Sequence, residues 1–269
     1  MSDNSPTRPA LRYHGGKWLL APWIISHFPP HKIYIEPYCG AASVLMRKVR
    51  SYDEVINDLE DDVVNLFRVL RVPATRAQLC DALQFTPFSR VEFTEAYEPT
   101  EDLIERARRL VVRSFQGFGS GSFNRNYCTG FRAASKQMGR PHSKDWANVP
   151  DGLWAVGERL KGVTIESRDA LHVIRQQDHP EALFYVDPPY LHSTRPNSNR
   201  KQYQFEMTVD DHRALATMLR AVKSKVIVSG YPSELYEQLY AGWKRAECTA
   251  QASGQHGRIQ RTEVLWMNF

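Results

Sequence analysis

Residues 182–190 read ALFYVDPPY, an apolar and aromatic run of five that stops at an acid, two prolines and a tyrosine. The run is short, bounded and rich in residues that suit a pleated surface, so it reads as a buried strand. The two prolines fix φ and remove two backbone donors, which leaves carbonyls open to accept from a ligand. Working outward, the pattern recurs. Lys32 to Glu36 (KIYIE) reads as a buried strand followed by a helical stretch from Ala41 to Arg50, and Glu54 to Asn57 as a second strand. A helix over Asp61 to Arg71 follows, its acidic first turn matched to the positive end of the helix dipole. Strand signals return at Val163 to Glu166 and Val226 to Ser229, with helical pieces near Leu171, over Asp210 to Ala221 and over Ser233 to Tyr240. This alternation predicts an α/β fold with a parallel sheet. Lys244 to Ala250 and Thr262 to Phe269, joined by a glycine-containing loop, predict an antiparallel hairpin at one end, which makes the sheet mixed. The organisation expected is a catalytic domain over 1–72 and 161–269, with an inserted helical and loop subdomain over 73–160.

Composition bounds the classes of protein this can be. The 269 residues are 42% hydrophobic and 24% charged, which suits a packed core and excludes disorder, collagen and a disulfide scaffold. Mean hydropathy is −0.49 and every apolar stretch is soon cut by charge, so no bilayer span and no membrane partner are expected. The N-terminal segment is polar with no hydrophobic run, and the expected location is the cytoplasm. Cys39, Cys80, Cys128 and Cys248 lie far apart, so reduced thiols are expected. His14, His192 and His212 lack zinc-type spacing, and Asp210 and Asp211 begin a helix, where acids cap; no metal is expected.

Lys+Arg exceeds Asp+Glu by only 5. Between Arg106 and Lys144, however, nine basic residues and no acid occur. Asp102 to Phe115 is helical by pattern and runs into a stretch with many glycines and small polar residues, which also holds Phe118, Phe123, Tyr127 and Phe131. Basic residues interleaved with aromatics fit an arm that orders on nucleic acid, with Arg113, Asn124, Arg125, Asn126, Arg132, Lys136 and Arg140 reaching phosphates and base edges. The polar run Ser193 to Gln204 reads as an active-site lid whose Arg195, Arg200 and Lys201 reach phosphate. Trp146 and Trp154 read as core residues of the insertion.

The chemistry concentrates in three segments. In open α/β sheets ligands bind beyond the carboxyl ends of strands, where Asp187, Pro188, Pro189 and Tyr190 fall. A carboxylate, a free carbonyl and a flat ring suit an exocyclic amine on a planar heterocycle, whose lone pair must be drawn out of the ring before it attacks. Arg12 to Lys17 (RYHGGK) places Gly15 and Gly16 in a tight turn ahead of a helix, with Lys17 ready for a carboxylate or phosphate. It is not a P-loop, because the G-x-x-x-x-G-K-[ST] spacing is absent. Glu36 to Ser43 (EPYCGAAS) is a small-residue turn after the first strand, where a nucleoside cofactor packs, and Asp58 ends the second strand, where an acid takes ribose hydroxyls.

These residues together resemble the adenine-N6 DNA methyltransferases of the Dam type, found in bacteria and phages. RYHGGK resembles the family's W-x-G-G-K motif, EPYCGAAS its E-P-F-x-G-x-G-S cofactor motif, IND its ribose-binding strand end, and DPPY its catalytic motif. SRDALHVI resembles the segment whose acid contacts the cofactor's adenine, here Asp169, and GRIQRTEVLWMNF the terminal strand. The resemblance implies a Rossmann-like S-adenosylmethionine-dependent methyltransferase fold whose insertion is the target-recognition subdomain. It implies transfer to N6 of a flipped-out adenine in double-stranded DNA, with restriction-modification as one setting; a monomer is expected, because a single flipped base needs only one active site. The catalytic set is Asp187, Pro188, Pro189 and Tyr190. The cofactor set is Tyr13, Gly15, Gly16, Lys17, Glu36, Pro37, Tyr38, Cys39, Gly40, Ala42, Ser43, Asp58, Asp169 and Asp187. Tyr13, Tyr38 and Ala42 depart from the family's Trp, Phe and Gly, and Ala42 puts a methyl group where backbone lies closest to cofactor.

Rival chemistries remain. Cytosine-C5 methylation needs a Pro-Cys nucleophile, and that dipeptide is absent. Cytosine-N4 methylation usually has Ser where Asp187 stands. Methylation of an RNA adenine is the enzymatic alternative, and a non-catalytic module that binds DNA and cofactor is the alternative of another class.

Overall fold

The computed structural model describes residues 5–119, 121–125, 128–133, 141–194, 203–254 and 257–269. In chain order the elements are α1 (Ala21–Ile25), β1 (Ile33–Glu36), α2 (Ser43–Arg47), β2 (Asp53–Asn57), α3 (Asp61–Arg71), α4 (Pro73–Phe85), α5 (Arg90–Glu95) and α6 (Leu103–Gln116). There follow α7 (His142–Trp146), α8 (Val149–Arg159), β3 (Val163–Glu166), α9 (Ala170–Gln177), β4 (Ala182–Val186), α10 (Val209–Ala221), β5 (Lys225–Gly230), α11 (Glu234–Leu239), β6 (Lys244–Gly254) and β7 (Gly257–Met267).

One seven-stranded sheet runs β3-β2-β1-β4-β5-β7-β6. The pairs β1–β2, β1–β4 and β4–β5 are parallel, while β5–β7 and β6–β7 are antiparallel. The mixed α/β sheet is therefore present, and its hairpin is longer than the sequence pattern predicts. Strand order reverses between β1 and β4, so a crevice site belongs at their carboxyl ends. Ile35, Phe184, Val186, Val226, Val228 and Trp266 are buried in the core with Ile174, Leu215 and Leu219 of the flanking helices. Caps set where helices start. Asp102 accepts from the backbone of Ile104 and Glu105, and Thr208 forms a reciprocal box with Asp211.

The chain forms two compact units. One holds 1–18, 40–47 and 60–165, and the other 19–39, 48–59 and 166–269. The helical unit takes in α3 because that helix packs on α4, α6 and α8. The helix after the cofactor motif is confined to Ser43–Arg47, since Gly40 (φ 47°) and Ala42 (φ 49°) are left-handed and cannot extend it towards its N-terminus. Trp146 is buried and donates to the Thr86 carbonyl at 2.7 Å. Trp154 is instead 44% exposed, with the Arg76 guanidinium 4.4 Å over its ring, so its place in the core is corrected. Among the described residues no helix is long and apolar enough to cross a membrane, and no group of three or more His, Cys, Asp or Glu could hold a metal.

Candidate active site

The segment after β4 and the ends of β5 and β7 build a hydroxyl and carboxylate cluster in the sheet unit. Asp187 is half-buried, and its Oδ1 accepts from Ser229 Oγ at 2.7 Å and from the Tyr190 hydroxyl at 3.0 Å. Tyr185 Oη lies 3.1 Å from Ser229 Oγ. Because the one Ser229 proton goes to the nearer carboxylate, Tyr185 donates to Ser229, and a directed chain Tyr185 to Ser229 to Asp187 results. Burial first, then the Asp187 charge, pushes both Tyr185 and Tyr190 well above the ordinary phenol value, so both remain donors. The single Tyr190 proton is shared between Asp187 and Glu263 of β7. Its ring meets Tyr231 edge-on at 4.7 Å, and the Arg261 guanidinium lies over Tyr231 at 5.5 Å. Pro188 is buried and Pro189 half-buried.

A second part of the sheet unit gathers the expected cofactor residues after β1 and β2. Asn57 joins them: its Nδ2 donates to the Pro37 and Arg168 carbonyls at 2.9 Å each, and its Oδ1 accepts from Arg168 N. Its carbonyl accepts from Cys39 N at 2.9 Å. One amide thus ties the turn after β1 to the residue before Asp169. Burial, then Asp169, with Asp58 also contributing, raises the Tyr38 hydroxyl, so these three side chains share one electrostatic neighbourhood. Cys39 is buried and its thiol is pushed up by burial, then by Asp58 and Glu36, which keeps it neutral. Glu36 is buried and accepts from Tyr34 at 2.8 Å. Asp169 caps α9, accepting from His172 N at 3.1 Å.

The remaining cofactor motifs lie in the helical unit. Gly16 N donates to the Tyr13 carbonyl at 3.2 Å and Gly15 takes φ 71°, which is the expected tight turn. The next helix begins at Ala21, so the turn does not sit at a helix N-terminus; Lys17 is buried and donates to the Gly15 carbonyl at 2.7 Å. A Cβ on Gly40 would stand 2.8 Å from Tyr13 Cε1. Gly40→Ala is therefore expected to destabilise the protein by about 1–2 kcal/mol from the left-handed backbone alone, with more from displacing Tyr13, as thermal unfolding would register. Ala42 already holds φ 49° with its methyl group buried, and Ser43 Oγ is buried with no hydrogen-bond partner among the described residues.

Five of the nine basic residues pair with three acids that lie outside the run. Arg106, Arg113 and Arg125 all pair with Asp62 of α3, Arg108 with Glu92 and Glu105, and Arg109 with Glu105. Arg113 is 1% exposed and also donates to the Ala96 and Phe123 carbonyls, so it holds the fold instead of facing a phosphate. Asn124 is buried and Arg125 and Arg132 half-buried. The arm folds back on itself, with Phe118 N on the Gly130 carbonyl and Arg132 N on the Gln116 carbonyl, both at 2.7 Å. Phe123 is buried and stacks on Tyr13 at 4.3 Å, while Phe118 is exposed. Asn126, Lys136, Arg140, Arg195, Arg200 and Lys201 lie outside the described residues.

Ser229 belongs to none of the sequence motifs, while Asn57 and Glu263 lie inside the IND and GRIQRTEVLWMNF motifs, which give them no role of their own. Glu263 carries the one available signal, an acid directly ahead of the apolar run VLWM.

The chain is similar to several known proteins. The profile of the D12 class N6 adenine-specific DNA methyltransferases matches residues 13–253. The chain is 24% identical over 257 residues to a DNA adenine methylase of Serratia marcescens, covering 87% of each chain. It is 22% identical over 275 residues to a DNA adenine methylase of Vibrio cholerae, covering 96% of this chain and 95% of that one. A solved precorrin 8W decarboxylase structure from Methanobacterium thermoautotrophicum aligns with a TM-score of 0.36 at 8% identity, over 93% of this chain and 89% of that one, which is too remote to bear on function.

Proposed function

Because the chain belongs to the D12 class of N6 adenine-specific DNA methyltransferases, we propose that its Asp187 cluster methylates N6 of an adenine drawn out of duplex DNA, with S-adenosylmethionine as donor. The observation that carries this is Asp187 at the carboxyl end of β4, held on Oδ1 by Ser229 and Tyr190 beside the point where strand order reverses.

One feature fits the cofactor: the buried Ser43 hydroxyl, which has no hydrogen-bond partner among the described residues. In the sheet unit Glu36, Pro37, Tyr38, Cys39, Asp58 and Asp169 would contribute. In the helical unit Tyr13, Gly15, Gly16, Lys17, Gly40, Ala42 and Ser43 carry the corresponding motifs. When bound, S-adenosylmethionine supplies a methyl group on a sulfonium, already activated for displacement.

The protein's part is orientation and electrostatics. The base must leave the stack for its N6 to be reached. The Asp187 carboxylate and Pro188 carbonyl would accept the two N6 hydrogens and draw the nitrogen lone pair out of the ring, and the Tyr190 ring offers a face for the base. Hydroxyls fixed on Oδ1 hold the carboxylate before the reaction begins, so little reorganisation is needed as positive charge develops on nitrogen. Phosphate contacts would come from the arm, with Arg125, Arg132, Lys136 and Arg140, and from the segment with Arg195, Arg200 and Lys201; Asn124 and Asn126 would reach base edges. Arg113 is left out of that set because Asp62 and two carbonyls engage it. A monomer in the cytoplasm suits a reaction on one flipped base, in a restriction-modification pair or a phage among other settings.

The test is methyl transfer from labelled S-adenosylmethionine to unmethylated duplex DNA, with ribosomal RNA in parallel and nucleoside mass spectrometry of the digests. N6-methyldeoxyadenosine is expected. Label in RNA alone moves the substrate to RNA, and label in neither with cofactor bound indicates a binding module.

A further inference from the structure

Asn57 ends β2, the strand that lies between β1 and β3 in the sheet, and it is 1% exposed. Its amide reaches the segments that follow both neighbouring strands. Nδ2 donates to the Pro37 carbonyl after β1 and to the Arg168 carbonyl after β3, and Oδ1 accepts from Arg168 N, each at 2.9 Å. The Asn57 carbonyl takes Cys39 N, also at 2.9 Å. These partners fix which way the amide faces, because two carbonyls need N–H groups and the Arg168 amide needs an oxygen. Asparagine is the side chain of this length that offers both. Aspartate would set a second acceptor against two carbonyls.

The segments joined in this way carry expected cofactor residues: Tyr38 and Cys39 follow Pro37, Asp58 follows Asn57, and Asp169 follows Arg168. We propose that Asn57 is a positioning residue for the cofactor: acting through the backbone of Pro37, Cys39 and Arg168, its amide holds the turn after β1 and Asp169 in one arrangement before the cofactor arrives. Binding then does not have to order these walls, and that saving appears as affinity. The inference rests on the reading of Tyr38, Asp58 and Asp169 as residues that meet the nucleoside end of S-adenosylmethionine.

A consequence separates this from support of the fold. Asn57→Ala removes the three side-chain bonds, and cofactor affinity is expected to fall about tenfold, the scale of one net hydrogen bond. 5′-Methylthioadenosine, which keeps the nucleoside and lacks the amino acid, should weaken by the same factor. Transfer at saturating cofactor should slow by less than about threefold, because the amide acts on binding and not on the methyl group. Support of the fold alone predicts a lower melting temperature with the affinity of the folded protein unchanged. Coupling is also reciprocal: if the closed amide favours cofactor, cofactor favours the closed amide. In the wild type, saturating S-adenosylmethionine should therefore slow hydrogen exchange at Asn57 Nδ2 by about tenfold. Gln116 is the control, since its side-chain amide is fully buried on the Pro87 carbonyl and lies outside the cofactor motifs.

The experiment measures calorimetric binding of S-adenosylmethionine and 5′-methylthioadenosine to wild type, Asn57→Ala, Asn57→Asp and Asp169→Ala. Thermal unfolding and single-turnover transfer to duplex DNA are followed for each, with side-chain amide exchange in the wild type. Expected are both ligands about tenfold weaker in Asn57→Ala, weaker also in Asn57→Asp, and exchange slowed at Asn57 well beyond Gln116. Asn57→Ala binding within about twofold of wild type, a loss confined to S-adenosylmethionine, or a saturated rate that falls as far as the affinity overturns the proposal. So does exchange at Asn57 that cofactor slows no more than at Gln116, and that measurement decides alone if neither Asn57 variant folds. Weaker binding by Asp169→Ala alongside any of those results leaves the cofactor reading intact. An Asp169→Ala protein that binds as wild type does, or a wild type that binds no S-adenosylmethionine, overturns both.

Discussion

Replacing Asp187 with alanine is expected to lower the rate of methyl transfer about a thousandfold, the scale at which one preorganised dipole or charge acts on developing charge. The fold should persist. Asp187 is half-buried, and the groups it leaves behind have other partners: Ser229 Oγ stands 3.4 Å from the Val186 carbonyl, and Tyr190 keeps Glu263. The stability change is therefore expected to be about 1 kcal/mol, and cofactor affinity should change far less than the rate. Asp187→Asn is the sharper companion. It preserves shape and the oxygen that Ser229 meets, but it removes the charge and offers an amide donor where the substrate amine needs an acceptor. A loss of about a hundredfold or more is expected. Mass spectrometry of digested nucleosides gives the rate and thermal unfolding checks the fold. Retention of more than a tenth of wild-type activity by Asp187→Ala would remove it from the chemistry.

What the sequence makes legible is what depends on neighbours in the chain. The strand ending at Val186, its abrupt stop at Asp187 and Pro188, and the parallel β1, β2, β4 and β5 follow from period and from turn residues. Ser229 and Glu263 lie 42 and 73 residues from the groups they hold, and pairing in the sheet brings them together. No local pattern encodes that distance. The basic run shows the same limit from the other side. Counting charge between Arg106 and Lys144 suggests a polyanion surface, but Asp62, 51 residues before Arg113, is folded against it. The span of α2 is likewise set by two left-handed residues, of which only Gly40 is marked by its type; Ala42 takes that backbone because the fold around its buried methyl group imposes it.

Asp62→Ala is expected to cost about 3–5 kcal/mol of stability, because it strands a buried charge. Asp62 lies in the first turn of α3 and accepts from Arg106 at 2.5 Å, Arg113 at 2.8 Å and Arg125 at 3.2 Å. Of these, Arg113 cannot turn to water. Among the described residues its guanidinium would keep only the Ala96 and Phe123 carbonyls, at 2.6 and 3.1 Å, with no counter-charge. Asp62→Asn retains an acceptor without the charge and should lose less. The pH dependence distinguishes charge from packing. Burial raises the Asp62 carboxyl, but the Arg106 hydrogen bond and the Arg113 and Arg125 charges outweigh it and hold it below the ordinary aspartate value. Its stabilisation is thus fully present above the unfolded pKa of about 3.9 and is lost as pH falls through the lower folded value. The gap between wild type and Asp62→Asn in urea unfolding should therefore be widest near neutrality and narrow below about pH 4. A gap independent of pH would assign the effect to packing. The consequence reaches beyond stability, since the Phe123 carbonyl that Arg113 holds belongs to the residue whose ring stacks on Tyr13 at 4.3 Å. Loosening Arg113 should free Phe123, and with it the ring that closes over Gly40, so a partly folded Asp62→Asn protein is expected to bind cofactor more weakly although Asp62 belongs to none of the cofactor motifs.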